Sequence, residues 1–242
     1  MSKPKVELIA EVSSNAGGSL DRAKLFIERF AAVGADVLKF QLTRAKRLRL
    51  DDPQRAWFEK AEWSLRDMAA IAKLCIANHV LPLFTVYHPD DVIELRREIQ
   101  FYRVKIGAGE AHSGKLAEAV LAHPFETIYV SEGIRPAHAL YRNDPRVIML
   151  GTCSRYPAPS GVVGHRYLTG AYQGWSDHAV GLDESVLAVI LGATVIERHV
   201  QIKEQAREPR PFESTVEEFA ELRRRVDEDP DRFLGRWNGD GV

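Results

Sequence analysis

What most limits the fold of this 242-residue chain is an unbroken alternation of strand-like and helix-like stretches from one end to the other. Short runs rich in β-branched and aromatic residues predict strands, and the segments between them repeat apolar residues at helical spacing. Residues 6–10 predict a first strand, followed by a turn-rich segment over 13–18. Ser19 is placed to cap a helix with Leu20, Ala23, Phe26, Ile27 and Phe30 on one face. Gly34 ends that helix, 36–41 is a second strand, and an insert over 42–62 precedes a helix over 64–78. Three strand-helix pairs follow: 80–86 with 89–99, 102–106 with 113–123, and 127–131 with 135–142. A sixth strand spans 146–150, and the glycine-interrupted segment 160–172 reads as irregular. Two further strands run into His178 and His199, and 215–226 is an amphipathic helix capped by Thr215. Eight strands alternating with about eight helices, with no Gly-x-Gly-x-x-Gly turn, predict an α/β fold of the closed (β/α)8 TIM-barrel type. A doubly wound sheet is the structural alternative. No repeat or linker divides the chain, so 1–242 is expected to be a single domain with a polar tail from about 228.

Charge and composition exclude some classes of partner. The formal net charge is -1 with both signs interspersed, which argues against nucleic-acid binding. The basic runs 44–49 and 223–225 read as solvated faces. Two cysteines, Cys75 and Cys153, cannot build a disulfide framework and suit a reducing compartment as packing residues. There is no signal-like leader and no apolar stretch of membrane-spanning length, so a soluble, cytoplasmic protein without a membrane partner is expected.

In such a barrel chemistry gathers at the carboxyl ends of the strands, and here those ends are polar. They present Glu11; Lys39 and Gln41; Thr85; Lys105 followed by Glu110; Ser131 and Glu132; Ser154, Arg155 and Tyr156; Ser176, Asp177 and His178; and Glu197 and His199. Side chains alternate along a strand, so Lys39 shares a face with Gln41, and Glu197 with His199. Two histidines at the ends of adjacent parallel strands suit a shared divalent ion, since imidazole is the commonest ligand for mid-series metals; surface or capping roles are the plainer alternative. A buried lysine is costly unless it meets an anion. Lys39 and Lys105 aimed into one mouth therefore suggest a ligand bearing phosphate or carboxylate. Alternatively each pairs with Glu11, Glu110 or Glu197 and does nothing more. His79, His88, His112, His123, His138 and His165 fall on loops or helices and read as ordinary.

These residues, in order, resemble the sialic acid synthase family, whose members condense phosphoenolpyruvate with an aminosugar. The landmarks are Ile9-Ala10-Glu11, Ser14-Asn15, Gly34-Ala35-Asp36 with Lys39-Phe40-Gln41, Lys105-Ile106 with Gly109-Glu110, Ser154 with Tyr156-Pro157, Ser176-Asp177-His178, and 192–199. The resemblance implies a TIM-barrel transferase of carbohydrate biosynthesis. It implies phosphoenolpyruvate held by Lys39, Thr85, Lys105, Ser131 and Ser176, with Gln41, Tyr156 and Asp177 as further substrate contacts. His178 and His199 would hold a divalent metal, manganese in first place and magnesium, cobalt or zinc otherwise, and Glu11 and Glu110 would do the acid-base work. The partners are then small molecules, phosphoenolpyruvate and an aldehyde or sugar, with a homodimer as a further possibility.

The departures concern the sugar end. The family's Ser-Asn-His-Asn-Gly turn is Ser14-Asn15-Ala16-Gly17-Gly18, its Ala-Ser-Gly-Glu is Gly107-Ala108-Gly109-Glu110, and its Ser-Asn-Tyr-Pro is Ser154-Arg155-Tyr156-Pro157. Its Pro-Asp-His segment aligns with Pro209-Arg210-Pro211, and no C-terminal antifreeze-like domain is expected. These changes argue against N-acetylmannosamine as acceptor, and Arg155 and Arg210 suggest an anionic one. The alternatives are a different metal-dependent aldolase or lyase on the same barrel, or a non-catalytic relative that binds a ligand or partner.

Overall fold

Alternation along the strands sorts every strand residue to one of two faces, and in the computed structural model those faces become the inside and outside of a closed barrel. The structure describes residues 5–99, 102–133, 135, 137–141, 144–164 and 172–228. Its strands are β1 (Glu7–Ser13), β2 (Val37–Gln41), β3 (Leu81–Val86), β4 (Arg103–Ile106), β5 (Thr127–Glu132), β6 (Val147–Thr152), β7 (Gly174–Asp177) and β8 (Val195–His199). They pair in parallel in sequence order, and β8 closes onto β1 with Glu11 opposite His199. Closure excludes the doubly wound alternative. β1 runs three residues past its expected end, to Ser13, and β6 reaches Thr152.

The described helices are α1 (Leu20–Ala32), α2 (Arg55–Ala61), α3 (Leu65–Ala77), α4 (Pro89–Glu98), α5 (Gly114–Leu121), α6 (His138–Tyr141), α7 (Asp183–Ile190) and α8 (Val216–Asp227). Ser19, Ser64, Ser113 and Thr215 each accept a backbone N–H at a helix start, satisfying donors the first turn leaves unpaired. The 42–62 insert holds α2 and a 3-10 turn over Ala45–Arg47. Most of the segment expected to be irregular lies outside the described residues, as do His165 and the tail from 229. The outward strand residues, among them Leu8, Ala10, Leu38, Phe40, Val104, Ile128 and Ile196, pack beneath the helices in one apolar layer. Phe30 of α1 meets Phe219 of α8 edge-on at 5.4 Å, joining the first and last helices.

Inside, the barrel is stacked in layers. At the amino-terminal end Arg103 Nη1 lies 2.6 Å from Glu7 Oε2, and the Tyr129 hydroxyl donates to Glu7 Oε1 at 2.5 Å. Above them Ile9, Val37, Leu83, Leu150, Val195 and the Tyr129 ring form a dry plug. Gly174 belongs to this layer because a Cβ there would come within 2.5 Å of Val195 O. The plug means that the polar layer above it opens in one direction only.

One polar strut lies outside the barrel wall. Arg198 Nη1 meets Asp177 Oδ2 at 2.5 Å, Nε donates to Ser214 Oγ at 2.9 Å, and Nη2 donates to Ala179 O at 3.1 Å. Asp177 also accepts from Ser185 Oγ of α7 and from Ala179 N. The buried pair is thus hydrogen-bonded on both sides and ties β7, β8, α7 and the following loop together. Replacing Asp177 with Ala leaves Arg198 buried and unpaired, and should cost about 3–5 kcal/mol of stability, read from urea unfolding. A loss below about 1 kcal/mol would contradict this bracing role.

Candidate active site

The carboxyl ends of the strands surround a cavity of about 500 Å³. Its floor is set by the period-two rule: Glu11, Lys39, Lys105 and Glu197 occupy inward positions one step above the apolar plug and are buried. Lys39 Nζ lies 2.7 Å from Glu197 Oε2 and 3.4 Å from Glu11 Oε2. Lys105 Nζ donates to Ser131 Oγ at 2.6 Å and stands 3.7 Å from Glu197 Oε1. Ser176 Oγ donates to the same Glu197 oxygen at 2.7 Å, and Gln41 Nε2 donates to Glu11 Oε1 at 2.6 Å. Each lysine thus stands beside a glutamate and also lines the cavity.

The quartet is formally neutral, yet its members differ. Burial pushes Glu197 upward, but Lys105 and Lys39 outweigh it and hold the carboxyl well below its usual range. Burial raises Glu11, with Lys39 only partly opposing, so the more basic carboxylate is Glu11. For Lys39 burial is overcome by Glu11 and Glu197, and the ammonium is held. Lys105 is lowered to about 8, mainly by burial.

His178 and His199 stand together on the rim, ring centroids 5.3 Å apart. His178 Nδ1 lies 2.7 Å from Cys153 O. A carbonyl only accepts, so Nδ1 carries the proton and the lone pair is on Nε2. His199 Nδ1 is buried and has no hydrogen-bond partner among the described residues. Burial lowers both rings, with His178 next in weight for His199, so both are neutral imidazoles. Tyr156 lies 4.1 Å from the His178 ring, and Phe212 meets His199 edge-on at 5.4 Å. No cluster of three or more His, Cys, Asp or Glu suited to a metal occurs among the described residues. Two lone-pair imidazoles with one orphaned nitrogen fit an ion that takes its other ligands from water and substrate.

Across the mouth, half-buried Glu110 follows the Gly107-Ala108-Gly109 turn and is raised, chiefly by burial. The Thr85 hydroxyl is buried on the cavity wall, without a hydrogen-bond partner among the described residues.

The cavity gathers Glu11, Lys39, Gln41, Thr85, Lys105 and Glu110, and likewise Ser131, Tyr156, Ser176, His178 and His199. Two expected substrate contacts are not among its lining residues. Asp177 alternates with the inward Ser176 and His178, so it points outward into the strut with Arg198. Arg155 is exposed on the loop after β6 and is not among the residues lining the cavity. Several lining residues were not singled out from sequence. Glu197 is expected at a strand end beside His199 and as a partner for lysine but carries no site role, and Thr152 carries none either, although alternation along β8 and β6 places both inside. Tyr87, His112 and Arg135 come from loops, where no periodicity marks them. Among the described residues no helix is long and apolar enough to cross a membrane.

Known proteins with this sequence pattern point one way. The sequence model of the NeuB family matches residues 26–229. The pseudaminic acid synthase of Campylobacter jejuni (strain 81-176) is 27% identical over 244 residues, covering 89% of this chain and 71% of that protein. The human N-acetylneuraminate-9-phosphate synthase is 27% identical over 225 residues, covering 81% of this chain and 62% of that one. Among solved structures, the N-acetylneuraminic acid synthetase of Leptospira borgpetersenii in complex with citrate superposes with a TM-score of 0.81 at 21% identity, covering 98% of this chain and 87% of that one.

An anion bound against Lys105 should be held in a pH-dependent way. The lysine's folded value, about 8, lies below the ordinary lysine range, so it is charged below pH 8 and neutral above. Sulfate, which does not itself titrate here, should bind more weakly by up to about tenfold per pH unit above 8. Binding at pH 8.5 should take up a proton, seen by calorimetry in buffers of different ionisation enthalpy. Flat affinity from pH 7 to 10 would contradict it.

Proposed function

The chain belongs to the NeuB family, and from there we propose that it condenses phosphoenolpyruvate with an aldehyde sugar, forming a carbon–carbon bond and releasing phosphate. The observation that carries this reading is the quartet: two buried lysines and two buried carboxylates of unequal basicity face one cavity beside two neutral imidazoles. Phosphoenolpyruvate has two anionic ends, and Lys39 and Lys105 offer a cation to each. The hydroxyls of Thr85, Ser131 and Ser176, all on the cavity wall, supply donors around them. A divalent ion, manganese in first place, held by His178 and His199 would polarise the acceptor's aldehyde oxygen.

In this scheme the enol carbon of the donor attacks the aldehyde carbon, the new alkoxide takes up a proton, and the donor is left as a cation at its phosphate-bearing carbon. Water adds to that cation, passing its proton to a carboxylate, and the C–O bond to phosphate breaks as the ketone forms. Glu11 and Glu110 line the same cavity and both are raised by burial, which makes each a stronger base than a carboxylate in water. Glu197, held ionised between the two lysines, serves instead to keep them charged and in place. Against a purely binding role stands the cost of burying four charges where a neutral cavity would hold a ligand more simply.

The test is phosphate release from phosphoenolpyruvate with manganese and a panel of aldehyde sugars. Release should require the aldehyde, and mass spectrometry should find the joined product. His178→Ala, His199→Ala and Glu110→Gln should each lower the rate by about 100-fold or more. Release with no acceptor in the panel, or variants that match the parent, would count against the proposal.

A further inference from the structure

The loop after β8 folds back over the turn after β1. Asn15 Nδ2 donates to Val200 O at 2.9 Å and to Glu213 Oε1 at 3.1 Å, and Ala206 N donates to Asn15 O at 2.7 Å. Gly17, at φ +56°, permits this approach: a Cβ there would lie 2.4 Å from Ala206 Cβ. The loop so pinned carries two guanidinium groups on the β8–β1 rim, across the barrel from Lys105 on β4.

Arg210 lies over the Phe212 ring at 4.9 Å, and Phe212 in turn meets His199 and Tyr156 edge-on. Its Nε donates to Glu213 Oε1 at 2.8 Å. Arg207 is half-buried, stacks over Trp57 at 5.0 Å, and donates from Nη1 to Ser14 Oγ at 3.0 Å. No carboxylate pairs with Arg207 among the described residues, whereas buried Glu213 is already engaged by Arg210, Asn15 and Gln205. Arg207 helps pin the loop through Ser14 and Trp57, yet its charge, unlike that of Arg210, meets no carboxylate among the described residues. Burial, then the neighbouring charge of Arg210, lowers Arg207, with Glu213 opposing.

We propose that Arg207 and Arg210 recognise an anionic group, carboxylate or phosphate, carried by the acceptor at the end away from its aldehyde. This rests on the condensation reading for which molecule is the acceptor. Position selects the acceptor over the donor: the donor's anionic ends are served by the lysines on the floor, whereas Arg210, over the Phe212 ring that meets His199, stands beside the imidazoles where an aldehyde would sit, with Arg207 on the same loop over Trp57. A planar guanidinium stacked on an aromatic ring is fixed in orientation and can grip an oxyanion with two parallel donors.

The experiment is calorimetric titration of the manganese-loaded protein with mannose, mannuronate and mannose 6-phosphate, repeated for Arg207→Gln and Arg207→Lys, with phosphoenolpyruvate titrated into each. At least one anionic sugar should bind tenfold or more tightly than mannose, and which one distinguishes carboxylate from phosphate. Arg207→Gln should abolish the preference without changing the affinity for phosphoenolpyruvate, Arg207→Lys should keep part of it, and raising salt should weaken it in the parent. Equal binding of all three sugars, binding of none, or a preference that survives Arg207→Gln and high salt would overturn the proposal. Failure of phosphoenolpyruvate to bind the parent would instead strike the condensation reading, and the sugar titrations would still read separately.

Discussion

The contact on which the site depends is the buried ion pair between Lys39 and Glu197. Neither side chain reaches bulk water, and in a low-dielectric interior two charges are stable only when their attraction and hydrogen bonds offset the loss of hydration. Here that condition is met by neighbours from five strands. Glu11 shares Lys39, Lys105 shares Glu197, and Gln41, Ser131 and Ser176 satisfy remaining oxygens and protons. Barrel closure brings these strands to one axis, and the apolar plug beneath keeps water from entering behind them. The charged layer is therefore a structural cost and, on the proposed reading, a preorganised anion site.

The rim extends the same logic outward. Two neutral imidazoles lie beside the quartet, one fixed in tautomer by a backbone carbonyl and the other with an unsatisfied nitrogen. Their positions are not free. Arg198 and Asp177, on the outward faces of the same strands, brace β7 and β8 against α7 and the loop that carries Phe212. One residue of each adjacent pair thus supports the wall while the next faces the cavity. This division explains how substitutions outside the cavity can disturb residues within it.

Much of this was legible from period-two reasoning. Lys39, Lys105, His178 and His199 fall at inward positions near strand ends, and β-pairing makes their convergence a consequence of closure. The same rule, applied strictly to β7 and β8, turns Asp177 outward and brings Glu197 in as a member of the site. What could not be read were groups delivered by loops. Tyr87, His112 and Arg135 reach the mouth from segments whose course depends on tertiary contacts, and Arg155, one residue from cavity-lining Ser154 and Tyr156, does not line it. The pinning of the last loop through Asn15 and Glu213 joins residues 198 positions apart, a contact no local pattern announces.

The central claim is that the quartet faces a cavity built for a ligand with two acidic ends. A crystal structure with phosphoenolpyruvate and manganese at neutral pH tests it most directly. The account predicts the carboxylate and phosphate within hydrogen-bond distance of Lys39 and Lys105 and the ion between His178 and His199; a ligand bound elsewhere, or a cavity holding only water at saturating ligand, would contradict it.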